Sequence, residues 1–253
     1  IAEELAAFVR SLDDTRLVTN GLCSMWSGLD DKEMMASMMR MRAAMEGNMQ
    51  NLDLSKGDSS WEDRTEAFCN CLDVAGYNYM DSHYAAAAER YPERVIIGTE
   101  SYPNQIDKVW DLVEQMPHVI GDFTWTAFDY IGEAGIGKSV FFAPDDPMLK
   151  MGPYALSSHA SEYPWRLAND ADFTISGRIT PQGVYRRIVW GSGETGLFVQ
   201  DPKNFGRKEV VSSWGWNQMS ANWNYEEYTG KPVKVYVYSA APEVELFLND
   251  VSV

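Results

Sequence analysis

Apolar and polar positions follow two different periods along this chain, and the switches between them mark its elements. Glu3-Glu4-Leu5-Ala6-Ala7-Phe8-Val9-Arg10 has helical spacing with acids in its first turn. Arg16-Leu17-Val18-Thr19-Asn20-Gly21 is β-branched and closes on a glycine, as a strand does. Residues 24–60 read as an insertion carrying a methionine-rich helical stretch, Met34-Met35-Ala36-Ser37-Met38-Met39-Arg40-Met41. Its pliable thioethers suit packing against a neighbouring surface better than metal binding. The alternation then becomes regular: a helix over 61–71, a strand over 73–79, an Ala-rich helix over 82–91, a strand over 94–100, a helix over 104–116 and a strand over 118–128. Strands separated by helical patterns of roughly ten to fifteen residues predict βα units and a parallel sheet. With 16–22 these make four strands, half of an eight-stranded barrel.

After Tyr130 the texture changes. Residues 131–160 read as a Gly- and Pro-rich loop, and Pro181 to Trp190 as a helix with proline in its first turn. Beyond Gly191 the pattern is all-β. Val233-Lys234-Val235-Tyr236-Val237-Tyr238-Ser239 and Val244-Glu245-Leu246-Phe247-Leu248-Asn249 alternate with period two around Ala241-Pro242, which predicts a hairpin of an antiparallel sandwich. The helix at Ile1 and the hairpin at Val253 both read as elements cut short, so the expectation is a fragment of a larger protein.

Composition narrows the function classes. With 253 residues and 45% apolar content the chain can bury a full core. A net charge of −16 without clustered Lys or Arg excludes nucleic acid and anionic membrane surfaces as partners. No apolar run approaches the length of a membrane span, and no signal-peptide pattern is seen, so a cytoplasmic location is the expectation over a secreted one, with the native amino terminus expected to lie outside the sequence. Cys23, Cys69 and Cys71 lack both disulfide and metal spacing, and His83, His118 and His159 are scattered. Neither a metal nor another cofactor is expected.

Glu100 stands out as a carboxylate at the carboxyl end of the apolar run Val95-Ile96-Ile97-Gly98-Thr99. It is either a nucleophile or acid/base at a barrel mouth, or a strand-end acid paired with a group such as Arg94. Tyr77, Tyr79, Phe123, Trp125 and Phe128 lie at or near the ends of neighbouring strands, with Asn78, Asp122, Asp129 and Glu133 among them. Aromatic faces and hydrogen-bonding side chains together suit a sugar, although neighbouring strand residues point opposite ways and some of these rings must fill the core.

Three segments carry a resemblance to a known family. Gly76-Tyr77-Asn78-Tyr79, Val95 to Ser101, and Asp122-Phe123-Thr124-Trp125-Thr126-Ala127-Phe128-Asp129-Tyr130-Ile131-Gly132-Glu133 resemble the last three barrel strands of glycoside hydrolase family 2, most of all bacterial β-galactosidases. Ser11 to Thr19 resembles the helix and strand after that family's acid/base motif, and 233–249 its following sandwich. The resemblance implies the C-terminal half of a (β/α)8 catalytic barrel at 1–191 and a truncated, immunoglobulin-like sandwich segment at 192–253. It implies Glu100 as the nucleophile, Tyr79 hydrogen-bonding to it, Trp125 as the floor of a sugar subsite, Asn78 as a substrate contact, and Asp129 and Glu133 as pocket wall or salt-bridge residues.

One departure matters. A retaining glycosidase needs a second carboxylate about 5–5.5 Å from the first, and the family's Asn-Glu acid/base pair occurs nowhere in this sequence. The chain alone is therefore expected to be inactive, its acid/base lying upstream. β-Glucuronidase and β-mannosidase are alternatives on the same scaffold, the former disfavoured by the lack of an Asn-x-Lys motif. A non-catalytic carbohydrate-binding module using Trp214, Trp216 and Trp223 is another. A half-barrel has exposed strand edges, so homo-oligomerisation is also expected.

Overall fold

The computed structural model describes residues 1–23, 27–45, 60–151, 156 and 165–253. These form two compact units, one of residues 1–101 and 109–123, the other of 102–108 and 124–253.

The first unit is built on a sheet in the order β1 (Thr19–Leu22), β2 (Val74–Asn78), β3 (Ile96–Ser101) and β4 (Val119–Thr124, to Phe123 within this unit). β1 with β2 and β2 with β3 pair in parallel, as the βα alternation predicts. Helices α1 (Ala2–Leu12), α2 (Asp31–Met45), α3 (Trp61–Cys69), α4 (Tyr84–Arg90) and α5 (Ile106–Gln115) lie between or before the strands. α3 starts where Ser60 accepts a hydrogen bond from the Asp63 N–H at 3.1 Å, which satisfies one of the helix's free amides. Trp61, Cys69, Tyr77, Tyr84, Ala87, Ile96 and Val119 form the buried core, with Phe68 and Leu112 packed against it. Val119 apart, this core is a helix-facing side of β2 and β3 closed by α3 and α4. In α2, by contrast, Met35, Met38 and Met39 are exposed, so these methionines do not make the packed face expected of them. The three cysteines are free thiols.

In the second unit, residues 126–129 run alongside 170–173. Asp172 N–H donates to the Thr126 carbonyl, Phe173 N–H to that of Ala127, and Asp129 N–H to that of Phe173. The chain then turns back, with Gly177 at φ +81°, and delivers Thr180 as the cap of α6 (Pro181–Val189). Thr180 accepts from the Gly183 N–H, and Pro181 stands where the first helical N–H has no partner to lose. β5 (Ser139–Phe142) pairs antiparallel with β7 (Lys208–Val211), β6 (Thr195–Val199) with β8 (Val235–Ser239), and β9 (Phe247–Leu248) with β10 (Val251–Ser252).

Two expectations change here. β8 falls where the alternation places it, but its partner is β6, with Val199↔Val235 and Thr195↔Ser239, and not the run at 244–249. Phe198 against Tyr238, at 5.8 Å between ring centroids, packs that ladder. The stretch read as loop also contains β5, which is anchored by Ser139 Oγ donating to Glu209 at 2.7 Å and by Gln218 donating to the Ser139 carbonyl at 2.9 Å. The partners lie 70 and 79 residues on, beyond the reach of any local pattern.

Candidate active site

Glu100 owes its position to an irregularity in β3. The pairing with β2 runs Ala75↔Ile96, Gly76↔Ile97, Tyr77↔Gly98 and then jumps to Asn78↔Glu100, which leaves Thr99 as the extra residue of a β-bulge. Side-chain contacts show the consequence. A Cβ on Gly98 would meet Asp122 Oδ1 at 2.3 Å, and Ser101 Oγ donates to Asp122 Oδ2 at 2.7 Å. Positions 98 and 101 therefore face one neighbour although three apart, where strict alternation would require an even spacing. The bulge absorbs the odd residue and puts Thr99 and Glu100 on the opposite face. There Thr99 Oγ1 donates to Asn78 Oδ1, and there the absent side chains of Gly21 and Gly76 leave the space that Asn78 and Thr99 fill.

Tyr79 follows directly. Its N–H donates to the Glu100 carbonyl at 2.7 Å, so the two residues are locked together at the strand ends. Its φ of +57° lies in the left-handed region that aromatic residues rarely enter. Such conformations concentrate at functional sites, where surrounding structure enforces them. Glu100 is half-buried, and among the described residues its carboxylate forms neither a hydrogen bond nor an ion pair. Arg94, its alternative partner, instead stacks over Tyr91 at 4.0 Å and reaches the Tyr77 hydroxyl at 3.4 Å.

Asp122 and Tyr77 belong to the other, helix-facing side. Tyr77 is fully buried edge-on against Trp61 at 4.9 Å, so it is a core ring and not a sugar platform. Burial pushes its hydroxyl pKa up to about 12, and raises that of Tyr84 beside it further still, with the nearby Asp122 charge adding to the shift.

The remaining expected residues sit in the second unit. Trp125, whose peptide bond to Thr126 is cis, donates through its indole N–H to the Tyr130 hydroxyl at 3.3 Å, and that hydroxyl in turn donates to Glu133. Asp129 Oδ1 accepts from the backbone N–H groups of Tyr130 at 3.0 Å and Asn169 at 2.8 Å. Glu133 and Asp129 thus brace the chain around Trp125. Phe128 stacks on Phe173 at 5.2 Å.

Sequence reading missed Asp170. It is wholly buried beside this cluster, and neither carboxylate oxygen has a hydrogen-bond partner among the described residues. Burial, reinforced by the charges of Asp129 and Glu133, raises its pKa to about 7. Its neighbour Asp172 is paired instead: Arg186 holds it through two guanidinium nitrogens and also reaches Thr124. Both acids occur in a polar stretch with no periodicity to mark either as buried. No trio of His, Cys, Asp or Glu among the described residues is arranged to hold a metal, and no helix there is long and apolar enough to cross a membrane.

Comparison with known proteins gives this arrangement a context. Two solved structures of glycosyl hydrolase family 2 members from Bacteroides cellulosilyticus match 99% of the chain each, at 32% identity with TM-score 0.67 and at 30% identity with TM-score 0.62. The chain spans only 26% and 24% of their lengths, about a quarter. A β-glucuronidase 2 of Bacteroides uniformis, covalently bound to cyclophellitol-6-carboxylate aziridine, matches 78% of the chain at 13% identity and TM-score 0.40, with 20% of its own length covered; that likeness is too slight to carry an argument. The family described as a domain of unknown function (DUF4982) matches residues 230–253. No curated protein matches the chain.

Proposed function

We propose, from the premise that this chain belongs to glycoside hydrolase family 2, that it supplies the nucleophile of a retaining hydrolase acting on terminal β-galactosides. The observation that carries the reading is the bulge at Thr99, which turns an unencumbered carboxylate, Glu100, onto the face that holds Asn78 and ties it to Tyr79. In this reading the Glu100 carboxylate attacks the anomeric carbon as the bond to the leaving oxygen breaks and that oxygen takes a proton from a general acid. Water, deprotonated by the same group, then attacks the anomeric carbon and releases Glu100. Tyr79 positions the carboxylate, Asn78 contacts the sugar, Trp125 forms its floor, and Asp129 and Glu133 shape the pocket wall.

The general acid/base is assigned to residues of the parent protein outside this chain. Residues 1–191 are read as half of the catalytic barrel and 192–253 as the start of a sandwich domain. A neutral sugar is favoured over a glucuronide because the sequence lacks an Asn-x-Lys motif after Glu100.

The test uses the parent protein with nitrophenyl β-galactoside, β-glucuronide and β-mannoside, together with a 2-fluoro-galactoside that traps the covalent intermediate. The expected results are preference for the galactoside, mass-spectrometric labelling of Glu100, and a fall in kcat of roughly 10³-fold or more in Glu100→Gln. Labelling of another carboxylate would reject the assignment, and a preference for glucuronide or mannoside would move the specificity.

A further inference from the structure

We propose that a cavity within the second unit, lined by neither Glu100, Tyr79, Asn78 nor Trp125, is a binding site for a neutral saccharide in its own right; Asp129, assigned above to the wall of the catalytic pocket, borders it as well. The cavity, of about 410 Å³, is lined by Trp165, Trp216, Gln182, Asn217, Gln218 and Asp129, among others, and no Lys, Arg or His among the described residues lines it. That size lies within the range of roughly 300–1,000 Å³ usual for small-molecule sites.

The hydrogen-bond inventory of its walls selects the ligand. Gln182 Nε2 donates to the Asp170 carbonyl at 2.8 Å, Asn217 Nδ2 to the Glu209 carboxylate at 2.8 Å, and Gln218 Nε2 to the Ser139 carbonyl at 2.9 Å. All three partners are pure acceptors, which fixes each amide with its nitrogen turned to the protein. None of the three amide oxygens accepts a hydrogen bond among the described residues. Asp129 spends Oδ1 on two backbone N–H groups and leaves Oδ2 unused. The described walls therefore offer acceptors and no cationic donors, so they match a ligand rich in hydroxyl donors. A uronate, phosphate or sulfate would face uncompensated oxygens and a carboxylate.

Aromatic surface completes the match. Trp216 is held by its indole N–H donating to the Tyr238 hydroxyl at 3.1 Å and by ring contact with Tyr185 at 5.2 Å. A ring fixed in advance loses little entropy when a sugar's C–H face stacks on it. Trp165 supplies a second ring.

Isothermal titration or NMR titration of this chain with neutral oligosaccharides, glucuronate, glucose 6-phosphate and choline tests the site. Saturable binding of a neutral oligosaccharide is expected, with no binding of the two anions. Trp165→Ala should weaken it about threefold to tenfold with an unchanged melting midpoint. Asn217→Lys, which adds a cation to the wall, should abolish it. Glu100→Gln should leave it intact, so loss of labelling at Glu100 and loss of this binding are separable failures. Absence of neutral-sugar binding, binding indifferent to both cavity variants, or preference for an anion or for choline would each overturn the proposal.

Discussion

Replacing Asp170 by Asn should change how the protein's stability depends on pH, because a buried acid is protonated more readily folded than unfolded. Asp170 is 0% exposed, its two oxygens lack hydrogen-bond partners of good geometry among the described residues, and the carboxylates of Asp129 and Glu133 act on it, opposed only in part by the nearby Trp125 indole. Its pKa is raised from 3.8 to about 7. The sign follows. Below the unfolded pKa both states carry the proton, and between the two values only the folded state does, so stability falls as pH rises through that window. At about 1.4 kcal/mol per pH unit, the loss between pH 5 and 8 is on the order of 3 kcal/mol. Asn keeps the shape and cannot ionise. Urea denaturation of both proteins at pH 5 and 8 is the assay. The expected result is that Asp170→Asn gains about 3 kcal/mol relative to the parent sequence on going from pH 5 to 8. Parallel pH dependence in the two proteins would refute the reasoning, since it would mean that Asp170 is solvated or paired in the folded state.

Two further changes probe the framework. Gly98→Ala would force a Cβ to within 2.3 Å of Asp122 Oδ1 and 2.8 Å of the Tyr84 hydroxyl, and should cost about 1–3 kcal/mol in chemical denaturation; an unchanged midpoint would contradict the packing described for β3 and β4. Arg186→Leu strands the buried Asp172 carboxylate and should cost about 3–5 kcal/mol, whereas the double change with Asp172→Leu should recover most of that loss. Equal destabilisation by the single and double changes would show that the cost is one of volume and not of charge.

Much of the architecture is legible in local pattern. Periodicity alone locates α3 before β2, α4 between β2 and β3, and α5 between β3 and β4, and Pro181 after Thr180 marks the start of α6. Glu100 was legible too, as a carboxylate where an apolar strand ends. What alternation could not reveal is which way it faces. Alternation extended from Gly98 would put Glu100 on the Asp122 side, and only the bulge at Thr99 reverses that. Tyr77 illustrates the same limit, since its sequence position beside Asn78 and Tyr79 suggests a site residue and its packing on Trp61 makes it core.

The division has a physical basis. The periods, the caps and the breaks can be read from residue order, because hydrophobic spacing and backbone capping act over a turn of helix or a few strand residues. The negative charge and the scattered histidines and cysteines can be read there as well. The tertiary structure decided whatever depends on a partner far along the chain: that β5 meets β7, that β8 meets β6, that Asp172 finds Arg186 and that Asp170 meets no cation among the described residues. Burial, register and ionisation are properties of a neighbourhood, and for these residues the neighbourhood is assembled from segments that no local pattern brings together.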